Sequence, residues 1–358
     1  MRVLLMAGGG GTRLWPLSTE ERPKQFLPLL SDKSLLAETY ERVLPIADDV
    51  FVAASHRHAR LVREELPSLK PRQILLEPAR RNSGPALLSA ALQFEQEGDP
   101  ITAAIPSDQT VADADAFRRA LSSAARATAT ASVVLLAVPA MRPETDYGYL
   151  ELDETTGEAM EVVRFIEKPA PAQAEEYVKA GLFWNAGIFL FRPSRLVAEA
   201  RRIAGELIAG VERYRRGLAE RDADASRRAY EELPDISIDY AVMERADRVR
   251  ALPLRAGWSD VGTWRSVRDL RGPSDEHQNL VISELPVLSP GVRDTVIVLS
   301  ADGLLVLPFE REAELRGAVE RLRSSQKVGP KSEARSSKAV EEGGPKSEVR
   351  GRKSKRRG

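Results

Sequence analysis

The chain has 358 residues, 42% hydrophobic and 30% charged, with 53 basic and 53 acidic residues and no cysteine. Lack of cysteine excludes disulfides, thiolate nucleophiles and cysteine-held zinc, so any metal must sit on oxygen or histidine. No run of about 18 apolar residues occurs and residues 1–6 lack the layout of a cleaved leader, so the expectation is a cytoplasmic protein without a membrane partner.

In chain order, apolar runs of strand length at 2–6, 50–54, 73–76, 101–105 and 132–138 alternate with helical spacing at 35–43, 59–66, 84–95 and 114–127. That alternation predicts an α/β fold, a Rossmann-like, doubly wound and mostly parallel sheet over residues 1–265. From 266 the texture changes to short strands at 280–282, 295–299 and 304–307, then a closing helix at 310–323, giving a small β appendage over 266–323. Residues 324–358 carry 11 Lys and Arg against 4 Glu, a net of +7, which leaves 42 basic against 49 acidic residues in 1–323. With no aromatic side chain, this segment is expected to be a disordered, solvated basic tail, and no nucleic-acid partner is expected.

The chemistry begins at the end of the first strand, where Gly8, Gly9, Gly10 and Gly11 precede Thr12 and Arg13. Ligands of open α/β sheets bind at the carboxyl ends of strands. Four glycines let backbone N–H groups approach a phosphate chain, and a following helix start adds positive potential. A Walker loop would need Gly-Lys-Ser/Thr after a four-residue gap, and a dinucleotide fingerprint would need glycine where Arg13 or Leu14 stands. A glycine turn without a ligand is the alternative, against which Arg13 and the run Arg22-Pro23-Lys24-Gln25-Phe26 supply nearby cations.

The stretch Ala7–Ser18 with Pro23-Lys24-Gln25-Phe26 resembles the signature of nucleoside-diphosphate-sugar pyrophosphorylases, in its details the mannose-1-phosphate guanylyltransferase branch. Further matching pieces follow in order: Glu77-Pro78 with Arg81–Pro85, Pro106-Ser107-Asp108, Phe165–Pro169, Trp184–Phe189, Ser237–Glu244 and Gly257–Trp264. The likeness covers about 1–270 strongly and 271–323 loosely. It implies attack by the phosphate of mannose 1-phosphate on the α-phosphorus of GTP, yielding GDP-mannose and pyrophosphate, a reaction that needs cations and a metal more than a proton-transferring base.

By the same resemblance Arg13 faces the triphosphate, Lys24 the α-phosphate and the incoming phosphate, and Lys168 the sugar phosphate. Asp108 and Asp260 are the implied ligands of Mg²⁺, a cation that takes hard oxygens and completes its shell with phosphates and water; each could instead shape a turn or cap a helix. The glycine run with Asn82 and Ser83 would meet guanine, although these two also suit a helix N-cap. Gly148, Glu167 and Asn185 would bind sugar hydroxyls, and the role of Asp239 stays open between site and helix cap.

Two departures stand out: Gln109 occupies a position usually held by histidine, and Ser83-Gly84 stand where Thr-Ala is commoner. His56 and His58 have no third ligand nearby and read as a surface loop or helix start and not as a metal site, and His277 is similarly unsupported. A homodimer is an allowed assembly. The alternatives to the main reading are another base or hexose specificity, and a catalytically silent relative; the presence of Arg13, Lys24, Asp108, Lys168 and Asp260 together favours the enzyme.

Overall fold

The computed structural model describes residues 1–9, 13–153 and 157–328, the last three by backbone alone. Residues 1–316 form one compact unit. The first strand, β1 (Arg2–Met6), shows how the core is organised. Val3 and Leu5 point into one apolar cluster and Leu4 into a second, all three fully buried, so the strand lies in a sheet covered on both faces.

The strands that follow are β2 (Asp49–Ser55), β3 (Ile74–Glu77), β4 (Thr102–Pro106) and β5 (Thr110–Val111). They continue with β6 (Val133–Pro139), β7 (Gly148–Asp153), β8 (Met160–Glu167), β9 (Phe183–Phe191), β10 (Val249–Pro253) and β11 (Trp258–Ser259). Nine of these form one sheet in the order β3-β2-β1-β4-β9-β6-β10-β8-β7, and β5 pairs with β11 apart from it.

The sheet corrects the expectation of a mostly parallel layer. Strands β3, β2, β1 and β4 run parallel, as does β10 with β6. Strand β9 enters antiparallel to both β4 and β6, and β7, β8 and β10 add further antiparallel pairs, so the sheet is mixed. A strand buried on both faces reads as one apolar run whichever way it points, and Phe183–Phe191 is such a run.

Helices α1 (Leu35–Val43), α2 (Ala59–Glu65), α4 (Ala114–Ala127) and α5 (Pro171–Lys179) bury Leu36, Val62, Phe117 and Ala174 in one core cluster. The opposite cluster takes Leu87, Leu196, Leu207, Tyr230 and Ile238 from α3 (Ser83–Gln96), α6 (Pro193–Ile203), α7 (Gly205–Ala219), α8 (Ala223–Glu231) and α9 (Ile238–Ala241).

After α10 (Trp264–Arg271), strands β12 (Leu280–Ile282), β13 (Thr295–Ser300) and β14 (Gly303–Pro308) make a separate three-stranded sheet. A 3-10 turn at Phe309–Glu314 leads into α11 (Leu315–Val328). That helix runs past residue 324, where a disordered segment is expected, and the Ser324 and Ser325 hydroxyls donate back to the Glu320 and Leu322 carbonyls within it. The rest of the basic tail lies outside the described residues. Among those residues, no helix is long and apolar enough to cross a membrane.

Candidate active site

The carboxyl ends of three parallel strands meet at one edge of the sheet, and the site starts there. Gly8 and Gly9 leave the end of β1, Glu77 closes β3, and Ser107-Asp108 follow β4. Ser107 ties two of these ends, its N–H and its hydroxyl both donating to the Met6 carbonyl at 3.1 and 3.0 Å. Gln25 fixes the glycine turn from below: its amide donates to Ala7 O at 2.7 Å and Gly9 O at 3.1 Å. Its own Oε1 is buried without a partner. Gly10, Gly11 and Thr12 lie outside the described residues.

Lys24 sits on the short 3-10 turn Lys24–Phe26 and is only 6% exposed. Its ammonium lies 3.0 Å from Asp108 Oδ2 and donates to Asp260 O at 2.6 Å. Asp108 through its carboxylate and Asp260 through its main-chain carbonyl thus meet at one buried cation, although they stand 152 positions apart. The Asp260 carboxylate acts on the Tyr147 hydroxyl, whose titration is pushed far above the ordinary range by burial first and by the Asp260 charge second. Directly after Asp260, buried Val261 holds a φ of 51°. A β-branched residue in the left-handed region stores strain, and such residues gather at functional positions.

Gln109, next to Asp108, is held at both ends of its amide. Its amide donates to Ala186 O at 2.8 Å and its carbonyl accepts from Trp258 Nε1 at 2.9 Å. It thereby joins β9 to β11, two residues before Asp260.

A second cluster gathers at the antiparallel side. A Cβ on Gly148 would lie 2.5 Å from Glu167 Oε2 and 3.4 Å from Asn185 Cβ. Asn185 Nδ2 donates to Asp239 Oδ1 at 2.9 Å, and Lys168 Nζ stands 3.5 Å from Glu167 Oε1. Burial, reinforced by the Asp239 charge, raises the Glu167 carboxyl to about 7; burial raises Asp239 to about 6. Lys168, at a φ of 50°, is pinned by its N–H to Tyr147 O at 3.2 Å. The structure therefore brings Gly148, Glu167, Lys168 and Asn185 together and adds Asp239.

The two clusters are joined by consecutive residues. Asp146 pairs with Arg13 at 3.0 Å, Tyr147 reaches Asp260 and Lys168, and Gly148 abuts Glu167. Arg13 is half-exposed and does not join the Lys24 cluster directly.

Asn82 and Ser83 are committed to the fold. Asn82, at a φ of 63°, accepts from Ser83 N at 2.9 Å at the start of α3, and Ser83 Oγ accepts from Ile238 N at 3.0 Å. Gly84 is required there because a Cβ would lie 2.7 Å from the Ile236 carbonyl oxygen.

Glu77 is the residue that sequence reasoning missed. It is buried, accepts from the Tyr230 hydroxyl at 2.6 Å, and its Oε1 lies 3.1 Å from where a Cβ on Gly8 would stand. Burial lifts its carboxyl to about 7 against the opposing Tyr230 bond. The signal in the sequence is Glu77-Pro78 at a strand end, but its partner is 153 residues away. His56 and His58 form a 3-10 turn that leads into α2, a helix start as read from the sequence, but His58 is buried and not at the surface: its Nε2 lies 2.9 Å from Glu20 O and its ring packs on Phe26. A cavity of about 380 Å³ bounded by His56, Leu76, Pro78 and Tyr214 contains none of the site residues singled out in the sequence.

The family described as nucleotidyl transferase matches residues 2–272. The xanthan biosynthesis protein XanB of Xanthomonas campestris pv. campestris (strain B100) is 38% identical over 344 residues, 90% of this chain and 73% of that protein. A mannose-1-phosphate guanylyltransferase of Escherichia coli (strain K12) is 33% identical over 352 residues, again 90% and 73%. A solved structure from Thermus thermophilus, described as a mannose-1-phosphate geranyltransferase, superposes with a TM-score of 0.81 at 35% identity, covering 90% of this chain and 99% of that one.

Proposed function

This chain belongs to the nucleotidyl transferase family, and from that premise we propose that it transfers a guanylyl group from GTP to mannose 1-phosphate, giving GDP-mannose and pyrophosphate. The observation that carries the reading is Lys24, a buried ammonium beside the glycine turn that holds Asp108 and Asp260 together. A phosphate oxygen of mannose 1-phosphate forms a bond to the α-phosphorus of GTP, and the bond from that phosphorus to the bridging oxygen of pyrophosphate breaks. The nucleophile is already ionised at neutral pH, so the protein's task is to bring two polyanions together and to balance charge.

Lys24 suits that task because it is fixed and partly desolvated, where a cation acts more strongly than in water. Arg13 exchanges Asp146 for the triphosphate, and Lys168 exchanges Glu167 for the sugar phosphate. Asp108 and Asp260 are the residues that would hold Mg²⁺: both are hard oxygen donors, the Asp108 carboxylate lies at the Lys24 ammonium, and two carboxylates leave room for the phosphates and waters that this ion prefers. The ion would supply Lewis-acid polarisation of the phosphoryl oxygens.

For the base, Glu77 offers a carboxylate beside Gly8 able to accept from the N1–H and amino group of a guanine edge, with backbone groups of the glycine turn alongside. For the sugar, Glu167 and Asn185 present acceptors and a donor to neighbouring hydroxyls, and Gly148 leaves the space in which a ring can approach them. Pyrophosphate release measured over a grid of nucleoside triphosphates and hexose 1-phosphates tests the reading. GTP with mannose 1-phosphate should give the highest kcat/KM; a higher value for dTTP or UTP with glucose 1-phosphate would reject the specificity while keeping the reaction class.

A further inference from the structure

The segment that follows the glycine turn is held from outside the catalytic sheet. Trp264, fully buried, donates its indole N–H to Trp15 O at 3.2 Å. Ser300, at the turn between β13 and β14, donates its hydroxyl to Pro16 O at 3.1 Å. Its partner across that turn, Gly303, comes so close to Trp15 that a Cβ there would lie 2.9 Å from both Cζ2 and Cη2 of the indole, and its φ of +148° itself favours glycine. Glu312 closes the frame: its Oε1 accepts from the backbone N–H of Trp264 and, at 3.2 Å, from that of Arg265.

The positions of the two tryptophans give this frame its meaning. Trp15 is two residues beyond Arg13, and Trp264 is four beyond Asp260. One indole-to-carbonyl hydrogen bond therefore ties the chain next to the triphosphate cation to the chain next to a carboxylate of the metal pair. The β13–β14 hairpin presses on that tie through Gly303 and Ser300, and Glu312 anchors the helix start that carries Trp264.

We propose that the β13–β14 hairpin and Glu312 are a brace of the nucleotide site, in which Trp15, Gly303 and Glu312 are positioning residues that set Arg13 relative to Asp260. This inference rests on the roles given above to Arg13 and Asp260. The small C-terminal sheet is then a working part of triphosphate binding. A rigid indole cannot yield to a new methyl group without moving its backbone, and displacement of a charge clamp by about 1 Å is enough to cost one to two orders of magnitude.

The test uses the full chain and four variants: Gly303→Ala, Trp15→Leu, the two combined, and Ser300→Ala as a milder change. Calorimetric Kd for GTP without sugar phosphate is measured beside KM for each substrate and the melting temperature. Gly303→Ala should weaken GTP about 10-fold in Kd and KM while KM for mannose 1-phosphate stays within about twofold. With the indole removed, the added methyl has nothing to strike and only the backbone strain of an alanine at a φ of +148° remains, so the loss in the double variant should be smaller than the sum of the two single losses. Ser300→Ala should raise the Kd about two- to threefold, in keeping with one lost hydrogen bond.

Folded Gly303→Ala and Ser300→Ala proteins with unaltered GTP binding, or with only a lower melting temperature, would overturn the brace, as would additive losses in the double variant. If Gly303→Ala fails to fold, Ser300→Ala and the Trp15→Leu comparison decide alone. Failure of the wild type to turn over GTP with mannose 1-phosphate would strike the proposed function, whereas the GTP Kd series still reads the brace.

Discussion

The two halves of the sheet answer different problems with different chemistry. The parallel half, β3-β2-β1-β4, offers backbone, one buried ammonium and one buried carboxyl: Gly8, Gly9, Lys24 and Glu77. The antiparallel half gathers Glu167, Asp239 and Asn185 around Gly148, with Lys168 as their cation. A triphosphate brings charge that must be met by cations and N–H groups, while a hexose brings neutral hydroxyls that a carboxyl and an amide can satisfy. Raised carboxyl pKa values on both sides share one cause, burial, yet the proposed function sets them against a base edge on one side and a sugar ring on the other. Asp146-Tyr147-Gly148 is where the two solutions are joined.

The sharpest way to break this contrast is to remove the ammonium. Lys24→Ala should lower kcat by about 10²–10³-fold, as loss of one preorganised electrostatic stabiliser does. The KM for GTP should change far less, since the other clamps persist. Steady-state kinetics with circular dichroism to confirm folding check this, and a folded variant with normal kcat and only a raised KM would reduce Lys24 to a binding residue.

Glu77 gives the next largest effect, with a pH signature. Its carboxyl titrates near 7 when folded against 4.5 as its ordinary value, so the folded chain holds the extra proton between those pH values and stability falls as pH rises through that window. The neutral amide of Glu77→Gln avoids this cost and can still accept from Tyr230. Denaturant melts should show the variant equal to the wild type near pH 4.5 and more stable by about 3 kcal/mol at pH 8. A guanine edge favours the charged carboxylate, so wild-type KM for GTP should fall from pH 6 to pH 8, a trend the variant loses.

On the sugar side, Gly148→Ala places a methyl against Glu167 Oε2. KM for mannose 1-phosphate should rise about 10-fold, a misfit of about 1–2 kcal/mol, with KM for GTP nearly unchanged. Equal changes in both would erase the division between the halves. The smallest effect is expected from deleting residues 329–358: kcat and melting temperature should stay close to wild type, because a segment with so little apolar surface stabilises little. A large loss in either would give the tail a role in the body.

How far the sequence carried this depended on the range of the interaction. Helices at 35–43 and 114–127 coincide with α1 and α4 because their periodicity is local. The direction of β9 left no such trace, and helices α5 to α9 were not anticipated from residue spacing. Lys24, Asp108 and Asp260 were legible as family-like motifs, but their meeting at one ammonium was not. Glu77 needed Tyr230, Tyr147 needed Asp260, and Gly303 needed Trp15; each partner is more than 100 residues distant, beyond what a local pattern encodes.

The central claim is tested most directly by following the α-phosphorus. With GTP labelled at that position and mannose 1-phosphate as acceptor, the label should appear in GDP-mannose and the released pyrophosphate should be unlabelled. Label remaining in GTP, or product forming only with another sugar phosphate or another nucleotide, would contradict the assignment.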